Sequence, residues 1–201
     1  MASYTQAIQN LMNQFARLPG IGMRSAERIA FHLLKENPEQ AFALADAIRD
    51  VKTRIKNCSV CYNLTESDPC SICADPGRDQ GLVCIVEQPK DLLALEGAGL
   101  YKGVYHVLLG AIRPLEDVDA GDLTIDALMG RLESGTVREL IMGTNPTVEG
   151  DGTALYIQNE VATRFPNVSV TRLARGLPAG SNIEYANRNI LADAISGRQR
   201  M

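Results

Sequence analysis

Two C-x2-C pairs, Cys58-Ser-Val-Cys61 and Cys70-Ser-Ile-Cys73, separated by eight residues, constrain this 201-residue chain more than any other feature. The segment that carries them is polar and too short to bury a core of its own, so it needs a staple. Each pair sets two thiolates on one side of a tight turn, and two such turns close a tetrahedral shell suited to Zn2+. With all four ligands supplied by protein, the metal would be structural, one ion per chain. Disulfides are the alternative, and the rest of the chain argues against them. Its first residues, MASYTQAIQN, have neither the basic start nor the apolar core of a leader. No apolar run approaches the roughly 18 residues of a membrane span. A soluble, cytoplasmic protein with reduced thiols and no membrane contact is the expectation. Cys84, inside Leu82-Val83-Cys84-Ile85-Val86, reads as a core residue.

Charge divides along the chain. The formal total is -4, with a pI of about 5.3, which excludes a protein that coats nucleic acid by bulk charge. Residues 1–57 nevertheless carry +3, residues 58–80 carry -3, residues 81–175 carry -5 and residues 176–201 carry +1. A polyanion site must therefore be local, and the N-terminal arm is where the positive charge lies. There, Ile8, Leu11, Met12, Phe15 and Leu18 form one face of an amphipathic helix that Pro19 ends. Leu18-Pro19-Gly20-Ile21-Gly22 then leads into a second helical pattern from Met23 to Leu34. A two-glycine turn leaves the first amides of the second helix uncovered, and the helix dipole makes that end positive. Arg24 and Arg28, four residues apart, project from one face beside those amides. The plainer alternative is a helical hairpin whose glycines only make the turn. PGIG followed by small and basic residues resembles the helix-hairpin-helix motif, which implies phosphate binding by Gly20, Gly22, Arg24 and Arg28. His32, within the apolar run, is expected to pack partly against its neighbours. A third helix is signalled by Asn37 as N-cap, Pro38 at the first position and Gln40 three after the cap. Its apolar face comprises Ala41, Leu44, Ala45, Ile48, Val51 and Ile55.

From Gly81 the pattern changes to alternating strands and helices. Strands are expected at Leu82–Val86, Tyr105–Leu109, Glu139–Met142 and Val168–Leu173. Helices are expected at Pro89–Leu95, Asp122–Leu132 and Thr153–Arg164. This is an α/β arrangement with a mainly parallel sheet, whose ligand crevice lies beyond the strands' carboxyl ends. Glu87 and the run Thr144-Asn145-Pro146-Thr147-Val148-Glu149-Gly150-Asp151 fall at that end. The arrangement resembles the Toprim domain, in which a glutamate and an Asp-x-Asp pair hold Mg2+ for phosphoryl transfer. Here Glu87, Glu149, Gly150 and Asp151 fit, but the aspartate positions hold neutral Asn145 and Thr147. Mg2+ is bound chiefly through carboxylates and water, so the exchange should remove most of its affinity. The tail, Gly176-Leu177-Pro178-Ala179-Gly180-Ser181-Asn182, reads as a loop before a helix at Asn187–Ile195. No G-x-x-x-x-G-K-[ST] phosphate cradle occurs.

Taken in order, LPGIGxRSAxR, the four cysteines, IVEQPKDLLALE, YKGVYHVLLGAI, TNPTVEGDGTALYI and RLARGLPAGSNIEYAN resemble the bacterial recombination mediator family RecR over nearly the whole chain. That family often has lysine at the place of Arg24, which keeps the charge and changes the phosphate geometry. The resemblance implies four parts: a helix-hairpin-helix DNA-binding module at 1–57, a zinc finger at 58–80, a Toprim-like domain at 81–175 and an oligomerisation segment at 176–201. It also implies a non-enzymatic, nucleoid-associated repair protein that binds single- or double-stranded DNA and forms a tetramer. Such a protein works with RecO-like and RecF-like partners to help load RecA, with Glu149, Asp151 and Arg175 near the cleft contacting a partner. The competing class is an Mg-dependent phosphoesterase or nuclease that uses Glu87 and the remaining acids. A purely structural oligomer would leave Gly20, Gly22, Arg24 and Arg28 unexplained.

Overall fold

The helical periodicity of the N-terminal arm becomes three helices, α1 (Gln6–Ala16), α2 (Met23–Lys35) and α3 (Pro38–Arg54). The computed structural model describes residues 4–199. The chain divides into two units, Met1–Ile55 and Lys56–Met201. In the first, α1 packs on α2 through buried Met12, Ala26 and Ala30. The two alanines let the helix axes approach closely. The Asn37 side chain accepts a hydrogen bond from the Glu39 N–H at 3.1 Å, with Pro38 opening the helix as its sequence signals. The apolar face of α3 departs from expectation. None of its residues is buried, and Leu44, Ile48 and Val51 are 44%, 57% and 60% exposed. The stripe exists, but its own unit supplies no surface that buries it.

In the second unit, β1 (Lys56–Asn57) and β2 (Leu64–Thr65) form a short antiparallel ribbon, and α4 (Ser71–Ala74) is a single turn. The main sheet follows: β3 (Asp79–Val86), α5 (Pro89–Gly97), β4 (Gly103–Val107), α6 (Ile125–Leu132), β5 (Glu139–Met142), α7 (Val148–Arg164) and β6 (Ser169–Arg172). Its four strands lie in the order β4-β3-β5-β6, all parallel. Alternate residues of β3 feed opposite faces. Val83 and Ile85 join Val104, Leu128, Leu140 and Ile157 on one side. Cys84 and Val86 join Leu92, Tyr105 and Val107 on the other. Both faces are therefore buried, as a parallel sheet requires. Cys84 is the core residue its run suggests, and burial pushes its thiol up to about 12.

Strand β4 is an edge, and its backbone is covered by other means. Leu108 N–H faces inward and donates to Val86 O at 2.8 Å. Residues 103, 105 and 107 face outward. Gly103 O accepts from Arg78 Nη1 at 3.2 Å, Tyr105 O accepts from Arg131 Nη1 at 2.8 Å, and the Val107 N–H donates to Cys61 O at 2.8 Å. The cysteine segment and two arginines thus satisfy the groups that an open edge would offer to another strand. Past the sheet, a 3-10 turn (Ile183–Tyr185) and α8 (Arg188–Ser196) end the described chain, and the Asn187 side chain caps α8 by accepting from the Ile190 N–H at 3.0 Å.

Candidate metal centre and nucleic-acid interface

The four cysteines converge. Cys58 and Cys61 flank the turn after β1, while Cys70 and Cys73 flank the start of α4 and lie within it. All four Sγ atoms lie within 4.8 Å of one another. Cys61 Sγ and Cys70 Sγ are 3.5 Å apart, too far for a disulfide, and every cysteine is free. Tetrahedral ZnS4 geometry with bonds of about 2.3 Å spaces its sulfurs by about 3.8 Å, which this cluster matches. The Cys58 thiol is set at about 7: burial raises it, and N–H groups of Cys70, Cys61 and Val60 outweigh the burial. Cys61 is pushed up by its Cys73 neighbour and by burial, and Cys70 by burial. Sulfurs this close cannot all ionise without a cation among them, so the donor set fits Zn2+.

In the first unit, the hairpin runs from Leu18 to Gly22. Gly20 has φ +77°, a left-handed conformation that a side chain would strain. Gly22 is the N-cap of α2 and supplies no side chain over the first amides of that helix. Arg24 and Arg28 are exposed beside them, and neither has a carboxylate partner among the described residues. Glu27, the acid between them, hydrogen-bonds instead to the Tyr4 hydroxyl. Ser25, Arg28, Ile29 and His32 line an open hollow along the same helix. His32 departs from expectation: its side chain is 69% exposed and lies 3.4 Å from Glu36 rather than packing inward. All four residues singled out in the hairpin are exposed.

The crevice of the α/β unit is built differently from its sequence analogy. Glu87 follows β3, and Asn145 and Thr147 follow the adjacent β5. The Asn145 N–H donates to Glu87 Oε1 at 2.7 Å, and Asn145 Nδ2 donates to Glu87 Oε2 at 2.8 Å. Glu87 is only 7% exposed, so its two oxygens are satisfied by amide donors. Thr147 is turned to another task, accepting from the Gly150 N–H at 3.0 Å as the N-cap of α7. A Cβ on Gly150 would meet Asn145 O at 2.1 Å and Glu87 Oε1 at 2.7 Å; the glycine is what lets α7 begin against this pair. N–H donors point where a cation would need lone pairs, so the residues present do not fit Mg2+.

Asp151 and Glu149, both expected near the cleft, line different hollows. The Asp151 carboxylate is held low by Arg175, against some burial, with Arg172 adding to the effect; both guanidiniums hydrogen-bond to it. It lines a hollow with Arg175 and α8. Glu149 is exposed on the first turn of α7, without a partner among the described residues, beside a different hollow of about 460 Å3 walled by Ile112, Pro114, Leu115 and Tyr156. Glu149 alone is a free acid there. Arg172 is not among the residues the sequence singles out; its position at the end of β6, beside the start of α7, is visible only once the strand order is known.

Comparison with known proteins finds three family models along the chain. Residues 8–52 match the RecR helix-hairpin-helix family, residues 55–75 the four-cysteine zinc finger domain of RecR and residues 81–174 the Toprim domain. The recombination protein RecR of Rhodopirellula baltica is 55% identical over 201 residues, the full length of both chains. The chain belongs to the RecR family. RecR proteins of Pelotomaculum thermopropionicum and Rubrobacter xylanophilus are 48% and 47% identical over the same 201 residues, again covering both chains completely. As in the RecR zinc finger, Cys58, Cys61, Cys70 and Cys73 form a site for one structural zinc. The RecR relatives are recombination proteins, and the fold positions a helix-hairpin-helix, a zinc finger and a Toprim domain in that order. No described helix is long and apolar enough to cross a membrane.

Proposed function

We propose that this RecR-family chain is a non-enzymatic, DNA-binding recombination mediator of the cytoplasm, associated with the nucleoid. The hairpin amides with Arg24 and Arg28 hold phosphates of single- or double-stranded DNA, with little base preference. The Toprim-domain surface recruits RecO-like and RecF-like proteins through Glu149, with Asp151 and Arg175 shaping the neighbouring face, and the assembly helps load RecA on single-stranded DNA. Its four functional parts are 1–57, 58–80, 81–175 and 176–201. A tetramer supplies the further hairpins that grip needs, and the uncovered apolar face of α3 and the exposed Ile183, Tyr185 and Ile195 of the tail support self-association.

The observation that carries this reading over an Mg-dependent phosphoesterase is the pairing of Glu87 with Asn145, which leaves the carboxylate satisfied without a metal. The test is RecA loading, followed by its DNA-dependent ATP hydrolysis on single strands coated with their binding protein, with the RecO-like protein of the same genome present. Wild type should accelerate loading. Glu149→Ala should weaken partner association in pull-down and slow loading, while zinc content and intrinsic DNA binding stay unchanged. Mg2+-dependent DNA cleavage that disappears in Glu87→Gln would overturn the reading.

A further inference from the structure

Arg131 on α6 is out of place among the arginines of its unit. Arg78, Arg113, Arg138, Arg164, Arg172 and Arg175 each have a carboxylate oxygen within 4.0 Å. Arg188 and Arg198 are exposed to solvent. Arg131 is partly buried, has no carboxylate partner among the described residues, and makes one side-chain hydrogen bond, from Nη1 to Tyr105 O at 2.8 Å. Arginine does not shed its proton in a protein, and a guanidinium drawn out of water without an opposing charge is costly. An anion must compensate.

The edge of β4 identifies it. In a strand, residues i and i+2 present their backbone groups to the same side, so Tyr105 O and the Val107 N–H both face outward. Arg131 occupies the first, and the carbonyl of Cys61 occupies the second at 2.8 Å. The cation and the cysteine loop are thus seated on neighbouring rungs. Burial lowers the basicity of Arg131, and Cys73, Cys61 and Cys58 each act to raise it. Four thiolates around Zn2+ leave a net charge of -2, on the loop seated one rung along β4 from a guanidinium that has no carboxylate partner among the described residues. We propose that Arg131 is the counter-ion of the zinc centre, a positioning residue that stabilises the four-thiolate state and ties metal occupancy to the edge of the sheet. Its hydrogen bond fixes the guanidinium, and its charge offsets the thiolates. The arrangement is that of an outer-shell partner, whose loss typically costs metal affinity rather than ligand identity.

Two substitutions separate charge from packing. Arg131→Lys keeps the charge, and Arg131→Gln keeps a polar donor without it. Zinc affinity is measured by competition with a chromogenic chelator on the full-length protein, with circular dichroism at saturating zinc as the folding control. R131Q should bind zinc about tenfold more weakly than wild type, and R131K should stay within about threefold. Wild-type affinity in R131Q, or an equal loss in R131K, would overturn the assignment. Should R131Q fail to fold, Arg131→Met, which keeps much of the side-chain bulk without the charge, takes its place: about a tenfold loss of zinc affinity supports the counter-ion role, and wild-type affinity overturns it. A purely structural role would lower the melting temperature of both variants and leave zinc affinity unmoved.

Discussion

Asn145 differs from an aspartate by one atom, and that atom decides what the crevice can hold. Its Nδ2 sits 2.8 Å from Glu87 Oε2, a distance at which an amide donates and a second carboxylate would repel. Asn145→Asp should therefore lower stability at pH 8 by about 1–3 kcal/mol, and millimolar Mg2+ or a lower pH should restore part of it. Thermal melts with and without Mg2+ check this; an unchanged melt would mean the hydrogen bond is dispensable. His106 offers a pH-dependent test. It is fully buried, with Nε2 at 3.0 Å from Thr124 Oγ1 and Nδ1 without a partner, and burial brings it down to about 4 from 6.5. Below pH 6.5 the unfolded chain takes up a proton that the folded one refuses until near pH 4. The neutral histidine therefore contributes stability fully above 6.5, and loses it as pH falls towards 4. The amount is about 3 kcal/mol. His106→Gln should flatten that part of the profile when urea unfolding is compared at pH 7.5 and 4.5.

At the scale of elements, Gly150 and Gly152 make a matched pair on α7. A methyl at 150 would strike Asn145 O and Glu87 Oε1, whereas at 152 it meets open space. Gly150→Ala should cost about 1–3 kcal/mol. Gly152→Ala should be neutral or gain about 0.4–1 kcal/mol, and chemical denaturation of both variants measures the contrast. The same glycines explain where sequence reading stops short. They suggest a loop, with a helix from Thr153, but α7 starts at Val148 because Thr147 caps it and Gly150 fits against the Glu87–Asn145 pair. Strand β5 is legible to the residue at Glu139–Met142. Strand β4 lies two residues earlier than its apolar run suggests, spanning Gly103–Val107 and stopping short of Leu109, which has φ +65°. Helix α6 begins at Ile125 rather than Asp122, because a 3-10 turn at Ala120–Asp122 precedes it. The cysteine site is readable in full because ligand spacing is local. The pairing of Asp151 with Arg172 and Arg175 is not, since it joins residues 21 and 24 positions apart across a strand order the sequence does not print.

For the whole molecule, zinc and sheet are joined through Cys61 and Val107. Removing the metal should loosen the cysteine loop, free the outward groups of β4 and promote strand-to-strand association. Chelator treatment or Cys70→Ser should accordingly lower the melting temperature and raise light scattering, and Zn2+ added back to the chelated wild type should reverse both. With a net charge of -4, the proposed DNA binding must come from one local phosphate site on the basic arm, repeated by self-association. The most direct measurement is DNA affinity against salt for wild type and the Arg24→Ala/Arg28→Ala double variant, with mass and zinc content determined on the same samples. Wild type should be larger than a monomer, hold about one zinc per chain and lose affinity steeply as salt rises. The double variant should keep its mass and zinc, bind far more weakly, and show a log–log salt slope shallower by about 1.4–1.8 for each hairpin engaged. An unchanged affinity and slope in the double variant, or tight binding by a strictly monomeric wild type, would contradict the account.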